Sequence, residues 1–441
     1  MRPGLSTPTL SVSFGGLCTA MLAVACGGST VGSLPDVAPT ADAGADDAPV
    51  VDVSVPVEAA PEASVPDVVS VPYPAPHSPM PIVTNLGGPV MLTPKIVPIT
   101  FPKDPFQDDI VQFVSGLGAT AYWAAATSEY KVNAAVGQTP VILTESAPGT
   151  IDDTAIQTWI TQSVASQVLP TPDAQTIFAI YYPAGTTVTL QGMSSCSAFG
   201  GYHNSVQLSS GPVSYAVIPR CASFGGMTGI DVITGTSSHE LIEASTDPFP
   251  QTTNPGPAYG QVDLDHIVWE FVVGGGEVGD MCAQNPGAFF KPQGYAYTVQ
   301  RTWSNKAAAA SHDPCTPSLP NEVYFNSAPV LSDSVTLSIQ GQSVTTKGVS
   351  IPVGQSKTVE VDLYSDGPTT GPWSLEAQDF GALQGGAADL SFQFDKTTGQ
   401  NGDKVKMTIT VMKQGQFGVE GFLLLNRLGS AGSFWIGLVG N

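Results

Sequence analysis

The sequence predicts a mixed helix–strand domain, α+β or α/β, followed by an all-β sandwich. Three observations carry this expectation. Between Pro81 and about Pro320, apolar runs of strand type are interspersed with helical spacings. From about Glu322 to Asn441, apolar residues recur at every second position. Ahead of both lies a stretch rich in Pro, Ala and Asp that has neither pattern.

The N-terminus sets the compartment. Arg2 is the only cation before Lys95, and an apolar run from about Val12 to Ala25 follows it. The run is shorter than the ~20 residues needed to span a bilayer and reads as a secretory signal over residues 1–25. It ends Ala23-Val24-Ala25-Cys26, which resembles a bacterial lipobox and makes Cys26 the expected lipidation site, the alternative being an ordinary signal peptide with an incidental Cys. An acyl chain anchors a protein to a membrane without spanning it. Residues 26–79 then form a tether. Between Pro35 and Pro79 there are ten Pro, eight acidic residues and no Lys or Arg, so the segment stays extended and cannot bury a core.

Charge narrows the function. The chain has 441 residues, with 15 Lys+Arg against 37 Asp+Glu and a net charge of −22. Clustered cations are what nucleic-acid binding requires, so that class is excluded. Setting aside Cys18 in the signal and Cys26, four cysteines remain: Cys196, Cys221, Cys282 and Cys315. An even number in an exported chain predicts two disulfides, most economically Cys196–Cys221 and Cys282–Cys315, with three connectivities open.

Residues 80–320 form the first folded unit. Lys95–Phe101 reads as a buried strand. Asp108 or Asp109 is placed to cap a short helix through Val114, and Trp123 falls in a second helix. Ile156, Trp159, Ile160 and Val164 follow Asp152 and Asp153 at helical spacing. Thr176–Tyr182 and Ser214–Ile218 read as strands, and about Ile230 to Ser245 as a helix. Residues 321–441 form the second unit. Val335–Ile339, Val359–Leu363, Leu390–Phe394 and Val405–Val411 alternate with period two, and about seven short strands predict an immunoglobulin-like sandwich.

Chemistry concentrates in Ser237-Ser-His239-Glu240-Leu-Ile-Glu243-Ala-Ser-Thr246-Asp247-Pro248. On a helix, His239 and Glu243 share one face and can ligate one metal, while Glu240 reaches the same space as general base. This is the HExxH arrangement of zincin-like hydrolases with Glu in place of the second His. Zinc is the expected cofactor. The extra carboxylate leaves less positive charge on the ion, so manganese and calcium stay open. The Gly-rich loop Gly274–Cys282 offers Glu277 and Asp280 as the favoured third ligands; Asp247, Asp263, Asp265 and His266 are further candidates. His203 sits in the Gly-rich stretch Cys196–His203, where it either binds a substrate oxyanion or, more simply, makes a hydrogen bond within the loop.

Several of these pieces together resemble the EXORDIUM-like (phosphate-induced protein 1) family: Gly87-Gly-Pro-Val90, Lys95-Ile-Val-Pro-Ile99, Tyr122-Trp123, Glu129-Tyr130, Cys196, Gly201-Tyr-His203 and Thr246-Asp247-Pro248. The resemblance covers about Gly87 to Cys315. It implies a secreted, wall-associated protein; plant members lack the His-Glu pair and an established enzymatic activity. Bacterial members carry S-H-E-x-x-E-A-x-T-D-P and G-E-x-G-D-x-C, which this chain matches. The expectation is therefore an exported, lipid-anchored, metal-dependent hydrolase of the cell envelope, on the outer membrane or cell surface. The expected activity is that of a peptidase, and the substrate a peptide or a cell-wall polysaccharide. The rival expectation is a non-catalytic envelope protein that binds polysaccharide or a protein partner.

Overall fold

The computed structural model describes residues 71–339, 342–415 and 418–441. The signal segment, Cys26 and the tether up to residue 70 lie outside the described residues. No described helix is long and apolar enough to cross a membrane.

The fold is mixed α/β and mostly β-sheet. In the first unit, Lys95–Thr100, Thr176–Tyr182 and Gly211–Pro219 run parallel, side by side in that order. Tyr202–Leu208 closes one edge, antiparallel to Gly211–Pro219. Two short strands, Val136–Gly137 and Val141–Ile142, pair with Lys95–Thr100 at the other edge. All seven residues of Thr176–Tyr182 are buried, because helices cover both faces of the sheet.

Helices α1 (Gln107–Leu117) and α2 (Ala121–Thr127) pack on one face, α3 (Asp153–Ala165) on the other, and α4 (Ile230–Thr246) on the face of α1 and α2. Successive strand residues divide accordingly. Ile177, Ala179 and Tyr181 join the α4 side, whereas Phe178 and Ile180 join Ile156 and Ile160 of α3. Asp152 caps α3 by accepting from Ala155 N at 2.9 Å. Asp108 and Asp109 lie inside the first turn of α1 instead of capping it; Asp104 arranges that turn, accepting from Phe106 N at 2.9 Å. Helix α1 also runs on to Leu117, beyond the expected end at Val114.

After α4 come α5 (Val268–Val273), the Gly-rich loop and α6 (Asp280–Ala283). The disulfides are Cys196–Cys221 and Cys282–Cys315. The second joins α6 to the strand Cys315–Thr316 and so anchors one end of the loop.

The second unit is a sandwich of two sheets. One holds Phe325–Pro329, Ser356–Ser365, Lys404–Val411 and Leu390–Phe394. The other holds Asp333–Ile339, Gln342–Ser350, Ala431–Gly440, Val419–Leu428, Trp373–Asp379 and Thr398–Gly399. That is ten strands among the described residues, against about seven expected. Ala431–Gly440 carries no period-two signal because its last eight residues are all buried.

The two units share one continuous apolar core. Trp269 of α5 sits at the joint, with ring centroids 5.8 Å from Phe434, 5.9 Å from Trp435 and 6.0 Å from Trp303. Residues 71–79, assigned above to the tether, pack on the folded units. His77 stacks on Tyr364 at 3.4 Å, and Ala75 N donates to Asn401 Oδ1 at 3.0 Å. The joint predicts that Trp269→Ala lowers stability by about 3–5 kcal/mol, read from denaturant unfolding. A loss below about 1 kcal/mol would show that the units do not depend on each other there.

Candidate metal centre

Helix α4 runs through the interior. Of its residues from Val232 to Thr246, all but His239 are buried. Its hydroxyls turn back onto the helix: Ser237 Oγ donates to Ile233 O at 2.6 Å, and Ser245 Oγ to Leu241 O at 2.6 Å. A helix this polar can lie inside because its polar groups are satisfied within itself, which leaves His239, Glu240 and Glu243 as its chemical face.

Glu243 is the centre of that face. Its Oε1 accepts from the backbone N–H groups of Gly279 at 3.0 Å and Asp280 at 3.1 Å. Its Oε2 lies 3.0 Å from His239 Nε2 and 3.6 Å from His203 Nδ1. Asp280 Oδ1 stands 3.6 Å from His239 Nε2. The Glu240 carboxylate spans both imidazoles, with Oε2 3.7 Å from His203 Nδ1 and Oε1 4.0 Å from His239 Nε2. Glu277 Oε1 lies 3.3 Å from His203 Nε2. His239, Asp280 and Glu277 form the wetted side, at 15%, 20% and 19% side-chain exposure; Glu240, Glu243 and His203 lie behind them.

Surrounding groups fix both rings. Gln300 Nε2 donates to Gly279 O at 2.7 Å, so its Oε1 is the atom that faces His239 Nδ1 at 3.1 Å. His203 Nε2 faces the carbonyl of Asp247 at 3.1 Å. Each ring thus sets one nitrogen against an amide or carbonyl oxygen, that of His203 also beside Glu277, and aims its other nitrogen at carboxylates. In a neutral ring, that inner nitrogen is a lone pair pointed at an anion. Only a proton or a cation makes the arrangement favourable.

Without a cation, protons do this work. Burial opposes charge on His203, yet Glu277, Glu240 and Glu243 hold its pKa well above the usual range. Burial is likewise outweighed at His239 by Glu243 and Glu240. Burial alone would raise Glu243, but the two imidazoles hold it well below the usual carboxylate range. Burial and Glu243 push Asp280 up to about 7. Burial also lifts Glu277 well above its usual value.

The spacing suits an ion. Two donors on one tetrahedral ion with ~2.1 Å bonds stand ~3.4 Å apart. The observed separations of 3.0 and 3.6 Å around His239 bracket that value. The loop is glycine-rich because the site occupies the space of its side chains. A Cβ on Gly279 would lie 2.7 Å from both Glu243 Oε1 and His239 Nδ1. One on Gly201 would lie 2.9 Å from Glu240 Oε1.

The structure therefore brings His239, Glu240, Glu243, Glu277 and Asp280 together, with Asp280 on the His239 side and Glu277 on the His203 side. Asp247 stands apart as a helix-end residue, its Oδ1 accepting from Ala258 N at 2.7 Å. Asp263 and His266 pair with each other at 2.8 Å, close to Trp435 at the joint. Asp265 follows Asp263 in the same turn, its N–H donating to Asp263 Oδ1 at 3.1 Å. His203, not counted among the ligands above, lies beside Glu240 and Glu243. It lies on the strand Tyr202–Leu208, whose alternation turns Tyr202, Val206 and Leu208 toward α3 and His203 toward α4. Gln300 had no sequence signal.

A groove of about 1120 Å³ runs beside this edge strand, lined by Trp159, Gln157, Tyr202, His203, Asn204 and Gln251 among others. Its polar floor includes Asp153, which accepts from Tyr202 Oη at 2.8 Å and Tyr215 Oη at 2.5 Å.

No family model and no curated protein matches the chain. Among solved structures, it is similar to domains 4 and 5 of the S-layer protein SbsC, at 14% identity over 25% of this chain and 46% of that one, TM-score 0.16. It is also similar to a Bacteroides ovatus GH5 xyloglucanase in complex with a XXXG heptasaccharide, at 12% identity over 21% of this chain and 17% of that one, TM-score 0.14. A titin M10–obscurin-like 1 Ig complex gives 11% identity over 27% of this chain and 94% of that one, TM-score 0.15. At these TM-scores the likenesses carry no weight for fold or function.

The protonation pattern sets a pH dependence. Raised imidazole values stabilise the fold below about pH 6.5 and lose that contribution as pH climbs through the folded-state values. The raised Asp280 value works in the same direction between its ordinary value and about 7. The lowered Glu243 value acts oppositely, losing stability as pH falls below its ordinary 4.5. Chelator-treated protein should therefore melt at a higher temperature at about pH 5.5 than at about pH 8.5, and zinc should restore the alkaline loss. A chelator-treated melting temperature that stays level or rises over that interval would contradict the assignment.

Proposed function

We propose that the chain is a zinc-dependent hydrolase of the cell envelope acting on peptides, with a zincin-like first domain and an HExxE centre. One observation carries this reading: two ring-fixed imidazoles converge with four carboxylates on a half-closed site, around a helix that places His239, Glu240 and Glu243 within one turn. The excess of anionic groups calls for a divalent cation, which when bound supplies Lewis acidity toward a carbonyl and lowers the pKa of water. Manganese and calcium are the alternatives to zinc.

The residues divide the work by position. His239, Glu243 and Asp280 would hold the ion. Gly279 N, Asp280 N and Gln300 hold those ligands in place. Glu240, behind the His239 ring and nearly enclosed, accepts the proton of the attacking water and returns it to the leaving group. The outer edge of Tyr202–Leu208, beside the groove, offers backbone groups to an extended chain, which favours a peptide. The EXORDIUM-like resemblance and the two disulfides support an exported location.

The test is metal content and turnover. Purified protein should take up zinc, and His239→Ala should lose it from this site. Glu240→Gln should keep that zinc while hydrolysis of a casein or peptide library falls by about 10²–10⁴-fold. No zinc at saturating supply would overturn the reading and leave the non-catalytic alternative. Anchoring has its own measurement: Cys26→Ser should abolish labelling by a palmitate analogue, and unchanged labelling would refute lipidation at Cys26.

A further inference from the structure

Two sets of donor atoms each lie within 4.8 Å of one another: His239, Glu243 and Asp280, and His203, Glu240 and Glu243. Each set contains one imidazole. No set among the described residues joins the two imidazoles, and Glu243 is common to both. An ion on either set is therefore held by one imidazole and two carboxylates.

The second set has the character of a site in its own right. His203 is 3% exposed at its side chain, and its Nε2 faces the Asp247 carbonyl at 3.1 Å and Glu277 Oε1 at 3.3 Å. Its Nδ1 is aimed between Glu240 Oε2 at 3.7 Å and Glu243 Oε2 at 3.6 Å. Both distances exceed a hydrogen bond. Both are also shorter than the ~4.6 Å expected between two groups sharing one water at ~2.8 Å. They match the ~3.4 Å between donors on one ion more closely.

We infer that the centre takes two divalent cations, one on His239, Glu243 and Asp280 and the other on His203, Glu240 and Glu243, with Glu243 Oε2 shared between them. A shared oxygen holds two ions roughly 3.5–4 Å apart, the spacing at which paired ions clamp both the attacking and the leaving atoms of one displacement. Glu240 reaches the second ion through Oε2, and its Oε1 stays on the His239 side, where proton transfer needs it. The inference rests on the hydrolase reading but is separable from it, because one ion satisfies that reading and two are required here.

The experiment uses the full chain, stripped by chelator and reloaded with zinc or manganese. Native mass spectrometry should count two zinc ions per chain in the wild type and one in each of His203→Ala and His239→Ala. Manganese-loaded wild type should give the electron paramagnetic resonance spectrum of an exchange-coupled pair, with an isolated-ion spectrum from His203→Ala. If that variant does not fold, the wild-type count and spectrum decide alone. A single ion per chain, or two that are magnetically isolated, overturns the paired centre and leaves the hydrolase reading standing. No ion at all overturns both.

Discussion

The carboxylate of Glu243 is the constraint on which the site depends. It is buried on an interior helix, and its two oxygens have separate tasks. Oε1 is held by two backbone N–H groups of the Gly-rich loop. Oε2 is turned toward two imidazoles on different elements. Removing an ionised carboxylate from water costs several kcal/mol unless it is paired and hydrogen-bonded. The fold meets that cost by bringing a strand, a helix and a loop to one point.

Each of those elements is braced from outside the site. The His203 strand is held at the sheet edge, antiparallel to Gly211–Pro219. The loop is bounded on one side by α5 and on the other by α6, which the Cys282–Cys315 bond fastens. Helix α5 in turn is packed through Trp269 onto Phe434 and Trp435 of the sandwich. The second unit thus presses on the back of the segment that carries Glu277 and Asp280. Among the described residues it adds no side chain to either ligand set.

Much of this was readable from the residues alone, where a single physical signal acts locally. The run Thr176–Tyr182 announced a strand because both of its faces are covered. The spacing of His239, Glu240 and Glu243 announced a shared helical face. The signal failed where tertiary context decides. His203 lies on a strand made of Tyr, His, Asn, Ser, Val, Gln and Leu, which has little intrinsic strand preference and is held by pairing. Gln300 is 61 residues from His239 and meets it only after folding. Ala431–Gly440 lost its alternation because burial is continuous there. The loop's geometry, which spacing does not encode, puts Asp280 beside the His239 ring and Glu277 beside the His203 ring.

In the proposed function a cation, not a proton alone, reconciles Glu243 with the two imidazoles. Anomalous diffraction from crystals of zinc-loaded protein, collected on both sides of the zinc edge, tests it most directly. A bound cation should give edge-dependent density within bonding distance of Glu243 Oε2 and His239 Nε2. Absence of such density at saturating zinc, with His239 and Glu243 still 3.0 Å apart as a plain ion pair, would contradict it.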